Sequence, residues 1–135
     1  MEDCIFCKII KGELPSTKIY EDDDVLAFLD INPVSPGHTL VIPKEHYENF
    51  SATPNELLSK MMPIIDKISK AAEEGLGADG FNVALNNGQV AGQIIFHTHF
   101  HMIPRFKDDN LHLWPGKPYK EGEIEKVAEK IKNNL

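Results

Sequence analysis

The stretch His97-Thr98-His99-Phe100-His101-Met102-Ile103-Pro104 decides the fold, because its three histidines alternate with other residues. Successive side chains of a β-strand point to opposite faces, so a strand would place all three imidazoles on one face. A helix would turn His99 away from the other two, and Pro104 disfavours a helical residue before it. The pattern therefore predicts a strand, with Phe100 and Met102 facing the core. Three adjacent imidazoles indicate a metal site, a catalytic site, or both.

Residue chemistry alone leaves two interpretations of this histidine strand open. Neutral imidazole is a common zinc ligand, and three histidines with one water form a catalytic zinc centre. Alternatively, a neutral imidazole attacks a phosphorus atom and forms a covalent phosphohistidine, while its other nitrogen donates to a fixed acceptor. Donors beside that imidazole would stabilise the phosphoryl oxygens as their charge changes.

The composition is typical of one ordinary globular domain. The 135 residues, 41% of them hydrophobic and 26% charged, suffice for one core and are too few for two domains of usual size. No apolar run reaches membrane-spanning length, and the acidic start Met1-Glu2-Asp3 does not resemble a signal peptide. We therefore expect a cytoplasmic protein without a membrane partner. A net charge of -7 argues against a nucleic-acid partner but allows a small phosphorylated ligand.

Cys4-Ile5-Phe6-Cys7 is the second motif that carries chemistry. Such a pair can be a redox couple, half of a zinc site, or two unrelated buried thiols. The lack of a βαβ pattern around it weakens the redox interpretation, whereas two of the six histidines could complete a tetrahedral zinc shell. Asp3 can cap a short helix over residues 4–11, which Gly12 and Pro15 end.

The remaining strands and helices follow from periodicity and turn residues. Four further segments are rich in apolar or β-branched residues and predict strands: 18–21, 25–30, 38–43 and 80–86. Between the last two of these strands, Thr53, Pro54 and Glu56 predict a capped start for a long helix, with a kink at Pro63. The glycines expected to end this helix are Gly75 and Gly77. A second amphipathic helix is predicted at about 120–135, after a loop.

Two polar positions have both a structural and a functional interpretation. Asp30 follows an apolar strand, where a carboxylate can accept hydrogen bonds from a sugar diol or form an Asx turn into Asn32-Pro33. Asn87-Gly88 is typical of a hairpin turn, whereas Gly92 beside Gln93 would let backbone N–H groups approach an anion. The sequence alone does not choose between these interpretations.

Taken together, these motifs resemble the histidine triad (HIT) family, whose pattern of three alternating histidines and two apolar residues is matched by residues 97–103. The resemblance runs from about residue 4 to 119, and its further landmarks are 4–10, 28–33, 36–38, 40–46, 86, 91–93 and 114–116. It implies a single α+β domain over residues 1–135, with an antiparallel sheet of about five strands, a long helix and short flanking helices. Such proteins are usually homodimers that bind purine nucleotides.

The resemblance also implies roles for individual residues. Family members cleave the α-phosphate bond of nucleotide conjugates through a covalent nucleotidyl-histidine, which makes His99 the nucleophile, with His101 and His38 assisting at the phosphate. The residues expected near the phosphate are Asn86, Gly92 and Gln93. Asp30 would hold the ribose hydroxyls. The residues expected to enclose the base are Phe6, Ile9, Phe28 and Ile31.

In zinc-bearing branches of the family, the cysteine pair joins two histidines around one metal ion. The ligands implied for this chain are Cys4, Cys7, His46 and His97. That shell is closed, so the expected zinc is structural, with one ion per chain.

Two departures from the phosphoramidase-like branch qualify this resemblance. Ile94 stands where that branch commonly has a serine near the leaving group, and the helix at 120–135 extends past the point where that branch ends. Trp114 either packs or reaches the partner subunit's active site. The resemblance implies a hydrolase or transferase acting on purine nucleoside phosphoramidates or other AMP conjugates. A dinucleoside polyphosphate hydrolase and a non-enzymatic nucleotide-binding module are the alternatives.

Overall fold

An antiparallel sheet of five strands forms the centre of the computed structural model, which describes residues 3–135. Its strands are β1 Lys18–Glu21, β2 Val25–Leu29, β3 Thr39–Pro43, β4 Gly80–Leu85 and β5 Phe100–Arg105. They are ordered β1-β2-β3-β5-β4 across the sheet. The helices are α1 Ile5–Ile10, α2 Asn55–Leu76 and α3 Glu123–Lys132. The predicted α+β class and five-stranded sheet are thereby confirmed. Met1 and Glu2, which begin the acidic start, lie outside the described residues.

One face of the sheet packs against α2 and forms the larger part of the core. The buried residues that the strands contribute to this core are Val25, Ala27, Val41, Phe100 and Met102. From α2, Met61, Ile65 and Ile68 pack against them. Burying a side chain of this size contributes roughly 1.5–3 kcal/mol, so this contact holds the long helix to the sheet. Phe100 and Met102 face this core, as the alternating pattern predicts.

The opposite face of the sheet is covered by the short helix α1. The buried residues on this side are Phe6, Ile9, Leu26, Phe28, Leu40 and Ile42. His101 of β5 pairs with Leu40 of β3 in the sheet, so its side chain lies on this same face. The histidines therefore face α1, while the alternate residues of β5 support them from the α2 side.

β5 begins at Phe100, later than the strand that the histidine pattern predicts. His97 and His99 precede the strand, because the backbone between them pairs with a different segment. The Thr98 N–H donates to the carbonyl oxygen of Tyr47 at 2.8 Å, outside the sheet. The strand prediction is therefore right for His101 and wrong for the other two histidines.

The start and end of α2 also differ from their predictions. Pro54 occupies the N-cap and has no capping side chain, so the predicted Thr53 cap is wrong. The Thr53 hydroxyl instead donates to the carbonyl of Asn49 at 2.8 Å. The helix includes Gly75 and ends at Leu76, before Gly77, whose φ of 72° is the left-handed conformation common after helix ends.

α3 lies within the predicted C-terminal helical segment and leaves both of its isoleucines exposed. Ile124 and Ile131 are both more than half exposed, and α3 buries none of its residues. Within residues 3–135, no helix combines the length and the apolar character needed to cross a membrane.

Candidate active site

The three histidines of the motif form one continuous cluster against α1. The ring centroids of His99 and His101 are 5.1 Å apart. The ring of Phe6 in α1 packs edge-on against His97 and His99, with centroid distances of 5.8 and 5.1 Å. The three imidazoles therefore lie on the same side of the chain, as predicted, although His97 and His99 precede the strand.

His99 has one fixed and one free ring nitrogen. Its Nδ1 lies 2.7 Å from the carbonyl oxygen of His97. A carbonyl oxygen only accepts, so Nδ1 carries the proton and donates, which leaves a lone pair on Nε2. Burial lowers the pKa of His99 and keeps the ring neutral at neutral pH. A neutral imidazole with one unprotonated nitrogen meets the chemical requirement for attack on phosphorus.

His38 and His101 form a second hydrogen-bonded pair beside His99. The Val34 N–H donates to His38 Nδ1 at 3.1 Å, so the proton of His38 lies on Nε2. This Nε2–H donates to His101 Nδ1 at 2.9 Å, which leaves the proton of His101 on its own Nε2. Burial, with smaller contributions from His99 and His38, lowers the pKa of His101 to about 4. The pair is therefore neutral at pH 7 and ends in an N–H donor.

Asp30 forms the Asx turn with one carboxylate oxygen and keeps the other outside the turn. Its Oδ1 accepts the Asn32 N–H at 2.8 Å, which is the Asx turn. Its Oδ2 lies 3.8 Å from His38 Nε2. The turn occupies only one carboxylate oxygen, so the other remains able to accept hydrogen bonds from a ligand.

A cavity of about 380 Å³ opens beside Asp30 and lies within the size range of small-molecule sites. The predicted base-enclosing residues that line it are Phe6, Ile9, Phe28 and Ile31. The first three are buried, whereas Ile31 is 90% exposed and lies at the rim. Ile95 also lines the cavity and was missed by the sequence prediction. The alternation of the histidine motif could have predicted Ile95, because Ile95 lies two positions before His97 and so points to the same side.

The three residues expected near the phosphate lie in one loop but are used differently. Gly92 has a φ of 98°, and a Cβ there would lie 3.3 Å from Asn86 Nδ2, so this position requires glycine. The Gln93 side chain is buried and holds the loop. Its Nε2 donates to the Glu48 and Ile95 carbonyls at 2.8 and 3.1 Å, and its Oε1 accepts the Gly88 N–H at 2.9 Å. Both amide protons of Gln93 are thus engaged within the protein.

The predicted metal ligands Cys4, Cys7, His46 and His97 converge, with their ligand atoms within 4.8 Å of one another. Cys4 Sγ lies 3.5 Å from His97 Nδ1, Cys7 Sγ lies 3.3 Å from His46 Nδ1, and the two Nδ1 atoms are 3.1 Å apart. Tetrahedral zinc, with bonds of about 2.3 Å to sulfur and about 2.0 Å to nitrogen, separates its ligands by roughly 3.3–3.8 Å. The four donors therefore fit a zinc ion.

The surroundings of His97 also suit a metal ligand. Its Nε2 lies 2.8 Å from the carbonyl of Pro43, so Nε2 carries the proton and Nδ1 faces the thiols unprotonated. Burial is the main cause that lowers the pKa of His97 to about 4, which keeps the imidazole neutral. Both cysteines are free thiols. Two backbone groups orient two of the histidines: the carbonyl of Pro43 binds His97, and the N–H of Val34 binds His38. A pattern of side-chain types does not predict them, because nearly every residue type carries the same backbone groups.

Ile94, which departs from the family resemblance, and Trp114, which belongs to it, are both on the surface. Ile94 is 87% exposed, and Trp114 is 91% exposed. Trp114 borders a groove that Val83 of β4 and Ile103 of β5 also line. Its indole is therefore not a core residue of its own chain.

Comparison with known proteins agrees with this geometry. Residues 11–108 match the HIT domain. The chain is 41% identical over 134 residues to the adenosine 5'-monophosphoramidase hnt1 of Schizosaccharomyces pombe, covering 98% of each. It is 51% identical over 109 residues to the adenylylsulfatase HINT3 of Arabidopsis thaliana, covering 81% of this chain and only 55% of that protein. A zinc-bound histidine triad family protein from Mycobacterium smegmatis superposes with a TM-score of 0.80 at 40% identity, covering 99% of each chain.

Proposed function

Because this chain belongs to the HIT domain family, we propose that it is a nucleotide hydrolase acting on purine nucleoside phosphoramidates or other AMP conjugates. The observation that carries the proposal is the 2.7 Å hydrogen bond from His99 Nδ1 to the His97 carbonyl, which leaves Nε2 free to attack. The named activities of the yeast and plant relatives, an adenosine 5'-monophosphoramidase and an adenylylsulfatase, support AMP conjugates as the substrate class.

The reaction proceeds in two displacements at the α-phosphorus. His99 Nε2 forms a bond to phosphorus while the bond to the leaving group breaks. An amine leaving group takes up a proton from solvent, whereas sulfate leaves as the anion. Water then attacks the same phosphorus and releases a proton to solvent, the bond to Nε2 breaks, and AMP leaves with a neutral His99 restored. The Nε2–H of His101, oriented by His38, donates to a phosphoryl oxygen as its charge changes.

The cavity beside Asp30 binds the nucleoside in this proposal. Its buried apolar wall receives the base, and the free Asp30 Oδ2 accepts hydrogen bonds from the ribose hydroxyls. We expect Asp30→Asn to raise KM about tenfold with little change in kcat, because hydrogen bonds to a charged group contribute about 1.5–3 kcal/mol. Steady-state kinetics measures this effect. With the wild type, a deoxyribose substrate should show the same rise in KM of about tenfold. With Asp30→Asn, removing the hydroxyl should raise KM little further. Additive rises in KM would show that the ribose binds elsewhere.

Zinc is proposed as a structural cofactor of one ion per chain. Cys4, Cys7, His46 and His97 would fill its shell, so no position is left for substrate. Bound zinc would cross-link α1, the segment after β3 and the segment before β5. The ion takes no part in either displacement.

A dinucleoside polyphosphate hydrolase is the second candidate, favoured by the exposed aliphatic side chain of Ile94. An aliphatic group cannot donate a hydrogen bond to an amine leaving group as a serine could. The specificity constants for an adenosine phosphoramidate, adenylyl sulfate and a diadenosine polyphosphate decide between the candidates. A higher specificity constant for either AMP conjugate supports the first proposal, and preference for the dinucleotide supports the second. Tight nucleotide binding without turnover of any of them would indicate a binding module.

We also propose that the protein forms a homodimer through the edge of the sheet at β4. Within residues 3–135 this strand pairs only with β5, and Val83 on it is 43% exposed. An uncovered edge strand with an apolar side chain favours association. Light scattering after gel filtration should give twice the chain mass, and Val83→Lys should shift the protein to monomers. Val90→Lys, at a fully exposed valine outside the sheet, is the matched control that should stay dimeric. A monomeric wild type at all concentrations would exclude the dimer.

A further inference from the structure

The peptide group between His97 and Thr98 connects two parts of the site. Its C=O accepts the Nδ1–H of His99 at 2.7 Å, and its N–H donates to the Tyr47 carbonyl at 2.8 Å. A trans peptide group is planar, so its N–H and C=O point in opposite directions and move together. The orientation of this one plane therefore determines where the acceptor for the His99 ring lies.

A buried pair of hydroxyl groups anchors Thr98 on its side-chain side. Thr98 is 1% exposed, and its Oγ1 lies 2.7 Å from Thr53 Oγ1. Thr53 Oγ1 donates to the Asn49 carbonyl at 2.8 Å, so its single proton is used there. The Thr98 hydroxyl is consequently the donor to Thr53, and the Tyr47 carbonyl, 3.2 Å from Thr98 Oγ1, is a second acceptor for the same proton. Backbone and side chain of Thr98 are thus both tied to the segment that follows His46.

Packing alone does not account for a threonine at this position. Valine has nearly the same shape and carries no polar group that must be satisfied when buried. The hydroxyl of Thr98 differs from a methyl group here in its directional bonds, the shorter to Thr53 Oγ1 at 2.7 Å and the longer to the Tyr47 carbonyl at 3.2 Å. Thr53, in turn, does not cap α2, although its place in the sequence predicts that it does.

We propose that Thr98 and Thr53 form a positioning pair for the nucleophile. The bond between their hydroxyls fixes the peptide group between His97 and Thr98, and this peptide group aims Nε2 of His99. Thr98 acts through His99 and does not contact the substrate. The inference rests on the proposed function for the identity of the atom attacked, but the orientation of the His99 ring is measurable without it.

Kinetics of four variants test this positioning role. We expect Thr98→Val to lower kcat about tenfold with KM within about twofold, because a small misplacement of a nucleophile slows chemistry without weakening binding. Thr98→Ser, which retains the hydroxyl, should recover most of kcat. Thr53→Val should act like Thr98→Val, and combining the two should cause no further loss, because both remove the same bond.

The matched control is Ser69→Ala in α2. Its buried hydroxyl also donates to a backbone carbonyl, that of Ile65 at 2.7 Å, but lies away from the histidines. This variant should lower the melting temperature about as much as Thr98→Val and leave kcat unchanged. Equal kcat in Thr98→Val and Ser69→Ala would overturn the proposal.

A nuclear magnetic resonance readout makes the test independent of turnover. The buried, hydrogen-bonded Nδ1–H of His99 should give a slowly exchanging resonance in the wild type, in Thr98→Ser and in Ser69→Ala. In Thr98→Val it should broaden or shift, and an unchanged resonance would overturn the positioning role. If the wild type hydrolyses none of the nucleotides, the proposed function fails, while this resonance still decides whether Thr98 orients His99.

Discussion

The His99→Ala variant is expected to lose nucleotide hydrolysis by about 10⁴-fold or more in kcat, because the nucleophile has no substitute within the cluster. His101 cannot replace it, since its Nδ1 accepts the His38 N–H and its Nε2 carries the proton. Chromatographic assay of AMP release from an adenosine phosphoramidate measures the loss. AMP affinity should change by only a few-fold, because the cavity and Asp30 are untouched.

His101→Ala is the comparison variant for this prediction. It removes one donor to the phosphoryl oxygens and leaves the attacking atom in place, so its kcat should fall about 10²-fold. A His99→Ala protein with as much activity as His101→Ala would show that the nucleophile lies elsewhere.

The second large effect concerns the metal. Purified protein should contain one zinc per chain, and Cys7→Ser should lose it and melt at least about 10 °C lower. Structural zinc sites contribute directly to folding, with apparent binding free energies of about 10–16 kcal/mol in small zinc domains. Even a few kcal/mol shifts the melting temperature of a domain of this size by about 10 °C. Metal analysis and calorimetry measure the two quantities.

A pair of histidine variants controls for loss of an imidazole as such. His46→Ala removes a proposed ligand and should lose zinc, whereas His112→Ala, at an exposed histidine outside the metal cluster, should keep it. Metal-free wild-type protein with a disulfide between Cys4 and Cys7 would contradict the zinc site and favour the redox interpretation of the cysteine pair.

The alternating histidines predict their shared face correctly because side-chain direction depends only on an extended backbone. They do not predict where β5 begins, because Thr98 pairs with Tyr47, a residue far away in the sequence. Hydrogen bonds between distant segments depend on the fold of the whole chain, so a local sequence pattern does not predict them. The same alternation extends back to Ile95 and could have added it to the cavity.

Thr53 and Gln93 show the other limit of sequence reasoning. Each has a residue type and position typical of one role, a helix cap and a phosphate contact. In the folded protein the polar groups of Thr53 bind Asn49 and Thr98, and those of Gln93 bind three backbone groups of its surroundings. The metal ligands were easier to foresee, because the family resemblance names all four, and the structure brings these four together.

The stereochemical course at phosphorus tests the role of His99 most directly. A nucleoside phosphorothioate amidate of known configuration would be hydrolysed in heavy-oxygen water, and the configuration of the product determined. Attack by His99 and then by water inverts the phosphorus twice, so we expect net retention. Net inversion would show a single direct attack by water and would contradict a covalent intermediate on His99.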